Sequence, residues 1–184
     1  MKTITRQVTL QGIRPIMFDR FVSMNNQEIP PEQKFYLAAD GKSLVLPAAN
    51  ISSFLSADLT ESATKRVIGK KWRGVAKAAL SFVDIDPIEI PLLRDGEQLT
   101  LENSDFQIDR RVARVKKTGG LIVPSEKVRP VFLTPWELNF NISLFENPEL
   151  NEMTLRRIFE EGGISVGLGT FRGVFGKFKI TKWE

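Results

Sequence analysis

Residues 136–183, WELNFNISLFENPELNEMTLRRIFEEGGISVGLGTFRGVFGKFKITKW, carry the clearest structural pattern in the sequence. Apolar residues alternate with polar ones from Trp136 to Leu144. Because successive side chains of a β-strand point to opposite faces, this alternation predicts a strand with one buried side and one side that faces solvent or ligand. We assign its aromatic residues to the core.

A helix is predicted after this strand, from Glu152 to Glu161. Asn147 or Asn151 can cap its first turn. Glycine tolerates the left-handed conformation at a helix end, so Gly162-Gly163 is predicted to stop the helix. A glycine-dense loop then leads to a terminal strand from Lys177 to Trp183.

The preceding part of the chain predicts further strands and helices. Alternating residues indicate an opening strand over 4–12. Asp40-Gly41 readily supplies the positive φ angles of a tight turn between two short strands. Pro47 can begin a short helix over 48–55, because proline fits the first helical turn.

The best amphipathic helix runs from Lys70 to Val83. Apolar residues recur there at helical spacing, which predicts one buried stripe. The stripe consists of Trp72, Val75, Ala76, Ala79, Leu80 and Val83, and the basic residues that lie away from it are Lys70, Lys71, Arg73 and Lys77.

Between residues 84 and 131 the pattern is strand-like but interrupted by prolines and glycine turns. These interruptions indicate hairpins and a protruding β-rich insertion. The predicted order is an α+β, βαββαβ frame with this insertion in its middle and a glycine-rich loop near its C-terminal end.

The composition fits a single ordered domain over residues 1–184. The chain is 42% hydrophobic, which suffices for one substantial core. No window approaches the roughly 18 consecutive apolar residues that a membrane-spanning helix needs, and residues 1–10 do not resemble a signal peptide. We therefore expect a cytoplasmic protein that is not embedded in a membrane.

The sequence contains no cysteine and no histidine. The lack of cysteine excludes disulfides and thiolate chemistry. The lack of histidine excludes a Ser-His-Asp triad, a His-ligated zinc and a side chain whose ordinary pKa lies near neutrality. We expect no cofactor and no enzymatic activity, since any catalysis would depend on carboxylates, lysine or Tyr36.

Positive charge is concentrated in three stretches, although the net charge is only +4. Residues 62–83 include no acid, whereas acids crowd between residues 84 and 109. This separation suits polyanion binding if the basic stretches converge in space. The first stretch contains Lys65, Arg66, Lys70, Lys71, Arg73 and Lys77, the second Arg110, Arg111, Arg114, Lys116 and Lys117, and the third Arg172, Lys177, Lys179 and Lys182.

The glycine-rich loop is a candidate anion site. Gly167, Gly169 and Gly173 would let backbone N–H groups approach a phosphate, with Arg172 available to clamp it. The loop is not a dinucleotide fingerprint, because it follows a helix, and Phe178 replaces the Ser or Thr of an ATP-binding loop. The alternative is that the glycines only permit tight packing between the last helix and the last strand.

The basic helix and the aspartates at 84 and 86 also have simpler, non-functional explanations. Basic helices are usually ordinary solvated surfaces. Asp84 and Asp86 could hold a hard cation, but alternation along a strand and nearby prolines favour a surface edge.

Two segments resemble the RAMP superfamily, which includes the backbone subunits of CRISPR effector complexes. LPAANISSFL at 46–55 is similar to the segment that opens the first helix of the family. The strand from Trp136, the following helix, GLGTFR at 167–172 and FGKF at 175–178 look like its last strand-helix-loop-strand unit. Similar endings also occur in phage and prophage proteins.

The resemblance implies a ferredoxin-like or RRM-like fold and RNA or single-stranded DNA as ligand. It also implies assembly, as a homo-oligomer or as a subunit of a ribonucleoprotein. Processing endoribonucleases of the superfamily often use a histidine, so the lack of histidine favours binding over cleavage.

We therefore expect a RAMP-like protein that holds the phosphate backbone of a nucleic acid. The glycine loop would cradle phosphates, and the basic stretches would extend the track. The predicted contacts are Lys70, Lys71, Arg73, Lys77, Arg110, Arg111, Arg114, Lys116, Lys117, Gly167, Gly169, Arg172 and Lys177.

Two alternatives remain open at this point. One is a scaffold that engages or mimics a defence complex through a protein contact at the acidic region 84–109. The other is a metal-dependent nuclease that uses Asp84, Asp86 or Asp109.

Overall fold

The computed structural model describes residues 2–20, 29–116 and 119–184, except for the side chains of residues 115 and 116. No helix within these ranges is long and apolar enough to cross a membrane. The helices are α1 (Ala48–Ser56), α2 (Ala63–Ile68), α3 (Trp72–Phe82) and α4 (Glu152–Ser165). The strands are β1 (Thr3–Gly12), β2 (Ile16–Met17), β3 (Val45–Pro47), β4 (Val83–Asp86), β5 (Glu89–Arg94), β6 (Glu97–Gln98), β7 (Phe106–Lys116), β8 (Ile122–Phe132), β9 (Glu137–Phe145) and β10 (Phe178–Trp183).

An antiparallel seven-stranded sheet forms the centre of the fold. β1 and β9 pair in its middle, from Thr3 opposite Phe145 to Gln11 opposite Glu137. β10 pairs with the other edge of β1, while β4 and β5 pair with the other edge of β9. β3 and β6 extend the sheet from β5. The α+β class is thereby confirmed.

The strand predicted from the alternation after Trp136 is β9. Leu138, Phe140, Ile142 and Leu144 are buried, and the residues between them are exposed or half-buried. β1 alternates in register with it, so the two strands share one core face and one polar face. Both strand predictions are confirmed.

Aromatic side chains from the helices and β10 fill the core beside this sheet. The Phe54 ring of α1 lies 5.4 Å from the Phe159 ring of α4 and 5.5 Å from the Phe178 ring of β10, centroid to centroid. Tilted aromatic contacts of this kind bury large apolar areas with favourable ring geometry. The short helix predicted after Pro47 is α1, and Ile51, Phe54 and Leu55 are buried as expected.

The last helix, α4, does not stop at Gly162-Gly163 as predicted but continues to Ser165. A Cβ atom on Gly162 would lie 2.4 Å from the Ala63 Cβ of α2, and one on Gly163 would lie 2.6 Å from the Phe178 ring. These glycines therefore permit close packing of α4 against α2 and β10. The stabilisation from this packing outweighs the poor helix propensity of glycine.

The amphipathic helix predicted after Lys70 is α3. Val75, Ala76 and Ala79 are buried as expected. The assignment of Leu80 to the buried stripe is wrong, because Leu80 is 67% exposed and Ala78 is buried instead. Leu80 thus leaves an apolar side chain on the surface of α3.

The turn predicted at Asp40-Gly41 is present, with φ of 69° at Gly41. The strands flanking it are reduced to an isolated bridge between Leu37 and Leu44. The Asp40 carboxylate accepts hydrogen bonds from the backbone N–H of Lys42 at 2.8 Å and of Ser43 at 2.9 Å.

The range predicted as an insertion, 84–131, divides into two parts. β4 and β5 belong to the central sheet. β7 and β8 form a long hairpin, paired from Phe106 opposite Phe132 to Lys116 opposite Ile122, and β2 joins its base to make a separate three-stranded sheet.

Candidate nucleic-acid interface

The glycine-rich loop after α4 is folded tightly on itself. The Leu168 N–H donates to the Gly176 carbonyl at 2.9 Å, and the Gly173 N–H donates to the Val166 carbonyl at 2.6 Å. Gly176 has φ of 70°, and a Cβ atom there would lie 1.8 Å from the Leu168 carbonyl oxygen. The loop therefore requires glycine at this position for both conformation and space.

All three glycine N–H groups proposed to approach an anion are already used inside the protein, including the Gly173 N–H that donates to the Val166 carbonyl. The Gly167 N–H donates to the Gly162 carbonyl at 3.1 Å. The Gly169 N–H donates to the Asn50 Oδ1 atom of α1 at 2.9 Å. The backbone-donor role predicted for Gly167, Gly169 and Gly173 does not fit this geometry, and the three glycines shape the loop instead.

Arg172 extends from the loop to the segment that precedes α2. Its Nη2 atom donates to the Thr60 Oγ1 atom at 2.8 Å. Burial lowers the pKa of Arg172 from its ordinary value, while the nearby Glu61 carboxylate acts in the opposite direction. The Thr60 backbone oxygen also accepts a hydrogen bond from the Lys65 Nζ atom at 2.7 Å. Thr60 thus joins a cation of the third basic stretch to one of the first.

The first basic stretch surrounds Trp72. The Lys65 Nζ atom lies 4.6 Å from the centroid of the Trp72 ring, and the Arg73 Cζ atom lies 5.0 Å from it. Cations at these distances are attracted by the negative face of the indole. The predicted contacts Lys70, Lys71, Arg73 and Lys77 are all exposed.

Arg111 joins the second basic stretch to the glycine loop. Its Cζ atom lies 4.8 Å from the Phe171 ring centroid and 4.9 Å from that of Phe175. Its Nε and Nη2 atoms donate to the two carboxylate oxygens of Asp109, each at 2.5 Å. Hydrogen bonding to this carboxylate raises the pKa of Arg111. A bidentate pair and two aromatic rings therefore hold this guanidinium in place.

The other predicted cations of the hairpin lie apart from Arg111. Arg110 and Arg114 are exposed and alternate with Arg111 along β7, so they point to the opposite face of the hairpin. Lys117 lies outside the described residues, as does the side chain of Lys116. Lys177, at the end of the loop, is half-buried.

These contacts connect one cation of each basic stretch in space, namely Lys65, Arg111 and Arg172. The first and third meet at Thr60, and the second and third meet at the Phe171 and Phe175 rings. The resulting surface alternates cations with aromatic rings. We call it the basic–aromatic band, and it consists of Arg73, Trp72, Lys65, Thr60, Arg172, Phe171, Phe175 and Arg111.

Carboxylates do not gather into a metal site within the described ranges, where no group of three or more His, Cys, Asp or Glu could hold an ion. Asp84 and Asp86 are exposed on β4. Asp109, the third acid of the nuclease hypothesis, is paired with Arg111.

Known proteins resemble this chain in fold rather than in sequence. No family model matches it, and no curated protein matches it either. A solved structure does match this chain in fold. It is a chain of the cryo-EM structure of Type III-B Cmr-beta bound to cognate target RNA, with a TM-score of 0.53 and 14% sequence identity.

That match covers 100% of this chain and 60% of the other. This chain therefore spans about three fifths of the length of its structural neighbour. At such low identity the likeness shows a shared fold.

The aromatic members of the basic–aromatic band were not predicted from the sequence. Trp72 was assigned to the buried stripe of α3, yet it is only half-buried. Phe171 and Phe175 stand among the glycines of the loop, where no periodicity marks their direction. The one available signal was the interleaving of aromatic and basic residues, in KKWR at 70–73 and TFRGVFGK at 170–177.

Proposed function

We propose that this protein binds single-stranded nucleic acid, RNA or DNA, along its phosphate backbone. The observation that carries this proposal is the basic–aromatic band. A flexible polyanion can engage three basic stretches together only if they share a surface, and aromatic rings between cations suit a strand whose bases are unpaired.

Two cations at the α3 end of the band, which have no carboxylate partner among the described residues, support the proposal. Arg73 and Lys77 are exposed on α3, and within the described part of the chain neither forms an ion pair with a carboxylate. By contrast, Arg156 and Arg157 on α4 pair with Glu160 and Glu161. Cations without a carboxylate partner can replace the counterions of a phosphate backbone without first breaking a salt bridge.

The strand order supports a more specific assignment of the fold. The order β10-β1-β9-β4, with α1 to α3 between β1 and β4 and with α4 between β9 and β10, supports our proposal of a ferredoxin-like βαββαβ core. We place the β7–β8 hairpin as an insertion within one RAMP-like domain over residues 1–184.

The structural neighbour and the hairpin surface support action within an assembly. The neighbour was solved with cognate target RNA, which favours RNA as the ligand here. On the hairpin, Val112 is 70% exposed and Ile122 is 60% exposed. Apolar side chains in such positions favour contact with another subunit, either a second copy or a ribonucleoprotein partner. In this proposal the protein binds its ligand without a catalytic step.

Salt dependence of binding tests the proposal directly. Fluorescence anisotropy with labelled single-stranded RNA and DNA would give affinity at several salt concentrations. For the double variant Arg73→Gln, Lys77→Gln, we expect weaker binding and a log–log salt slope that is shallower by about 1.4, since each lost phosphate contact removes about 0.7.

The matched control is the double variant Arg156→Gln, Arg157→Gln, which removes the same charge from α4. We expect it to keep the wild-type slope, because its arginines are paired and lie outside the basic–aromatic band. Equal losses in both double variants would show that only net charge matters. Salt-independent binding, or no binding to any strand, would contradict the proposed function.

A further inference from the structure

A groove runs between the end of α1 and the exposed face of α3. Its volume is about 220 Å³. An apolar cavity of about 150 Å³ already admits a benzene ring, so this groove has room for a flat ring system. The residues that line it are Ser56, Asp58, Trp72, Arg73, Ala76, Lys77 and Leu80.

The surface of the groove is mainly apolar and is open to solvent. Leu80 contributes an aliphatic side chain that is 67% exposed, and Ala76 is buried beneath it. Trp72 is half-buried beside them. Exposed leucine beside a half-exposed tryptophan is an apolar surface that a partner of suitable shape would cover.

Trp72 differs from the other two tryptophans of the chain. Trp136 is fully buried, and its Nε1 atom donates to the Arg14 carbonyl at 2.8 Å. The Trp183 Nε1 atom donates to the Glu152 carboxylate at 3.1 Å. Among the described residues, the Trp72 indole N–H has no such partner. Trp72 is therefore the tryptophan whose indole N–H is free, and its half-buried ring borders the open groove.

The charges around the groove specify the class of that ligand. Arg73 and Lys77 lie on one rim, and the Lys65 ammonium lies 4.6 Å from the Trp72 ring centroid. Asp58 is the acid among the lining residues. An apolar groove with this excess of cations suits a ligand that joins a flat apolar ring to anionic groups. A nucleotide within a strand has this combination.

We infer that this groove binds one unpaired nucleobase of the strand, stacked against Trp72 and Arg73, while Arg73 and Lys77 contact the flanking phosphates. The inference rests on the proposed function and adds a base-binding subsite to it. Every base has a π-face, so the subsite accepts any base and adds affinity without sequence preference.

A comparison of normal and abasic strands tests the subsite. Wild-type protein, Trp72→Leu and Trp72→Phe would each be titrated with a labelled oligothymidylate and with an abasic strand of the same length and charge. For Trp72→Leu we expect about tenfold weaker binding of oligothymidylate, because leucine keeps the apolar contact but cannot stack. Binding of the abasic strand should weaken by a clearly smaller factor, because Trp72 also positions Lys65 and Arg73 in the basic–aromatic band. Trp72→Phe should retain most of the affinity for oligothymidylate.

The two strands separate the subsite from the proposed function. If wild-type protein binds the abasic strand as tightly as oligothymidylate, or if Trp72→Leu weakens both strands equally, the base-binding subsite is wrong and backbone binding stands. If wild-type protein binds neither strand at low salt, both proposals are wrong. Circular dichroism and thermal unfolding would verify that each variant is folded, since Trp72 begins α3.

Discussion

Two glycines of the loop after α4 allow a matched test of its geometry. Gly173 has φ of 91° and Gly176 has φ of 70°, so alanine is conformationally unfavourable at both. A Cβ atom on Gly173 would meet nothing within 4 Å, whereas one on Gly176 would lie 1.8 Å from the Leu168 carbonyl oxygen. Comparison of the two alanine variants therefore separates steric overlap from backbone strain.

The expected costs follow from this difference. Gly173→Ala should lower the free energy of unfolding by about 1 kcal/mol, the cost of the left-handed conformation for alanine. Gly176→Ala carries that cost, and the Leu168 carbonyl must also withdraw by more than about 1 Å to reach an ordinary contact of roughly 3.3 Å. Overpacking adds about 1–3 kcal/mol. Loss of the hydrogen bond from the Leu168 N–H to the Gly176 carbonyl adds about 1 kcal/mol.

Gly176→Ala should thus destabilise the protein by about 3–5 kcal/mol, a large fraction of the 5–15 kcal/mol typical of a domain. Urea unfolding monitored by circular dichroism would measure both variants. Thermal unfolding should show a fall in Tm of about 2–4 °C for each kcal/mol. If the two variants have equal stability, the closed loop described above is refuted.

Three further predictions concern packing, charge and the hairpin. Gly162→Ala should lower Tm, and Ala63→Gly in the same chain should restore part of the loss, because it removes the Cβ at 2.4 Å. Hydrogen bonds from Ser43 and Lys42 hold the pKa of Asp40 at about 2. Stabilisation from this carboxylate should be present above about pH 4 and disappear as the pH falls through 2, and NMR titration of Ser43→Ala should give a higher pKa. Arg111→Gln should speed amide exchange in β7.

Local patterns in the sequence predict much of the fold. The alternation in β9 and the spacing in α1 and α3 each specify which side of the strand or helix is buried. The fixed period of each element sets the direction of every side chain relative to its neighbours. Leu80 shows the limit of this reasoning. Helical spacing alone does not decide which edge of the apolar stripe faces the core. The tertiary packing of α3 buries Ala78 and leaves Leu80 exposed.

The basic–aromatic band depends on contacts that no local pattern specifies. Arg172 and Thr60 are separated by 112 residues along the chain, yet their side chains share a hydrogen bond. Arg111 reaches the Phe171 ring by a similar long-range contact. The sequence indicates that the loop glycines can adopt unusual backbone conformations. It does not indicate which acceptors bind their N–H groups. Asn50, which occupies the Gly169 N–H, comes from a distant helix.

The central claim is that one strand of nucleic acid engages all three basic stretches at once. NMR titration of isotopically labelled protein with a single-stranded RNA tests it most directly, because each backbone amide reports separately. We predict that amides of residues 65–77, 110–114 and 171–177 shift together, with one affinity that weakens as salt is added. Shifts confined to one stretch, or centred on the exposed face of α4, would contradict a shared interface.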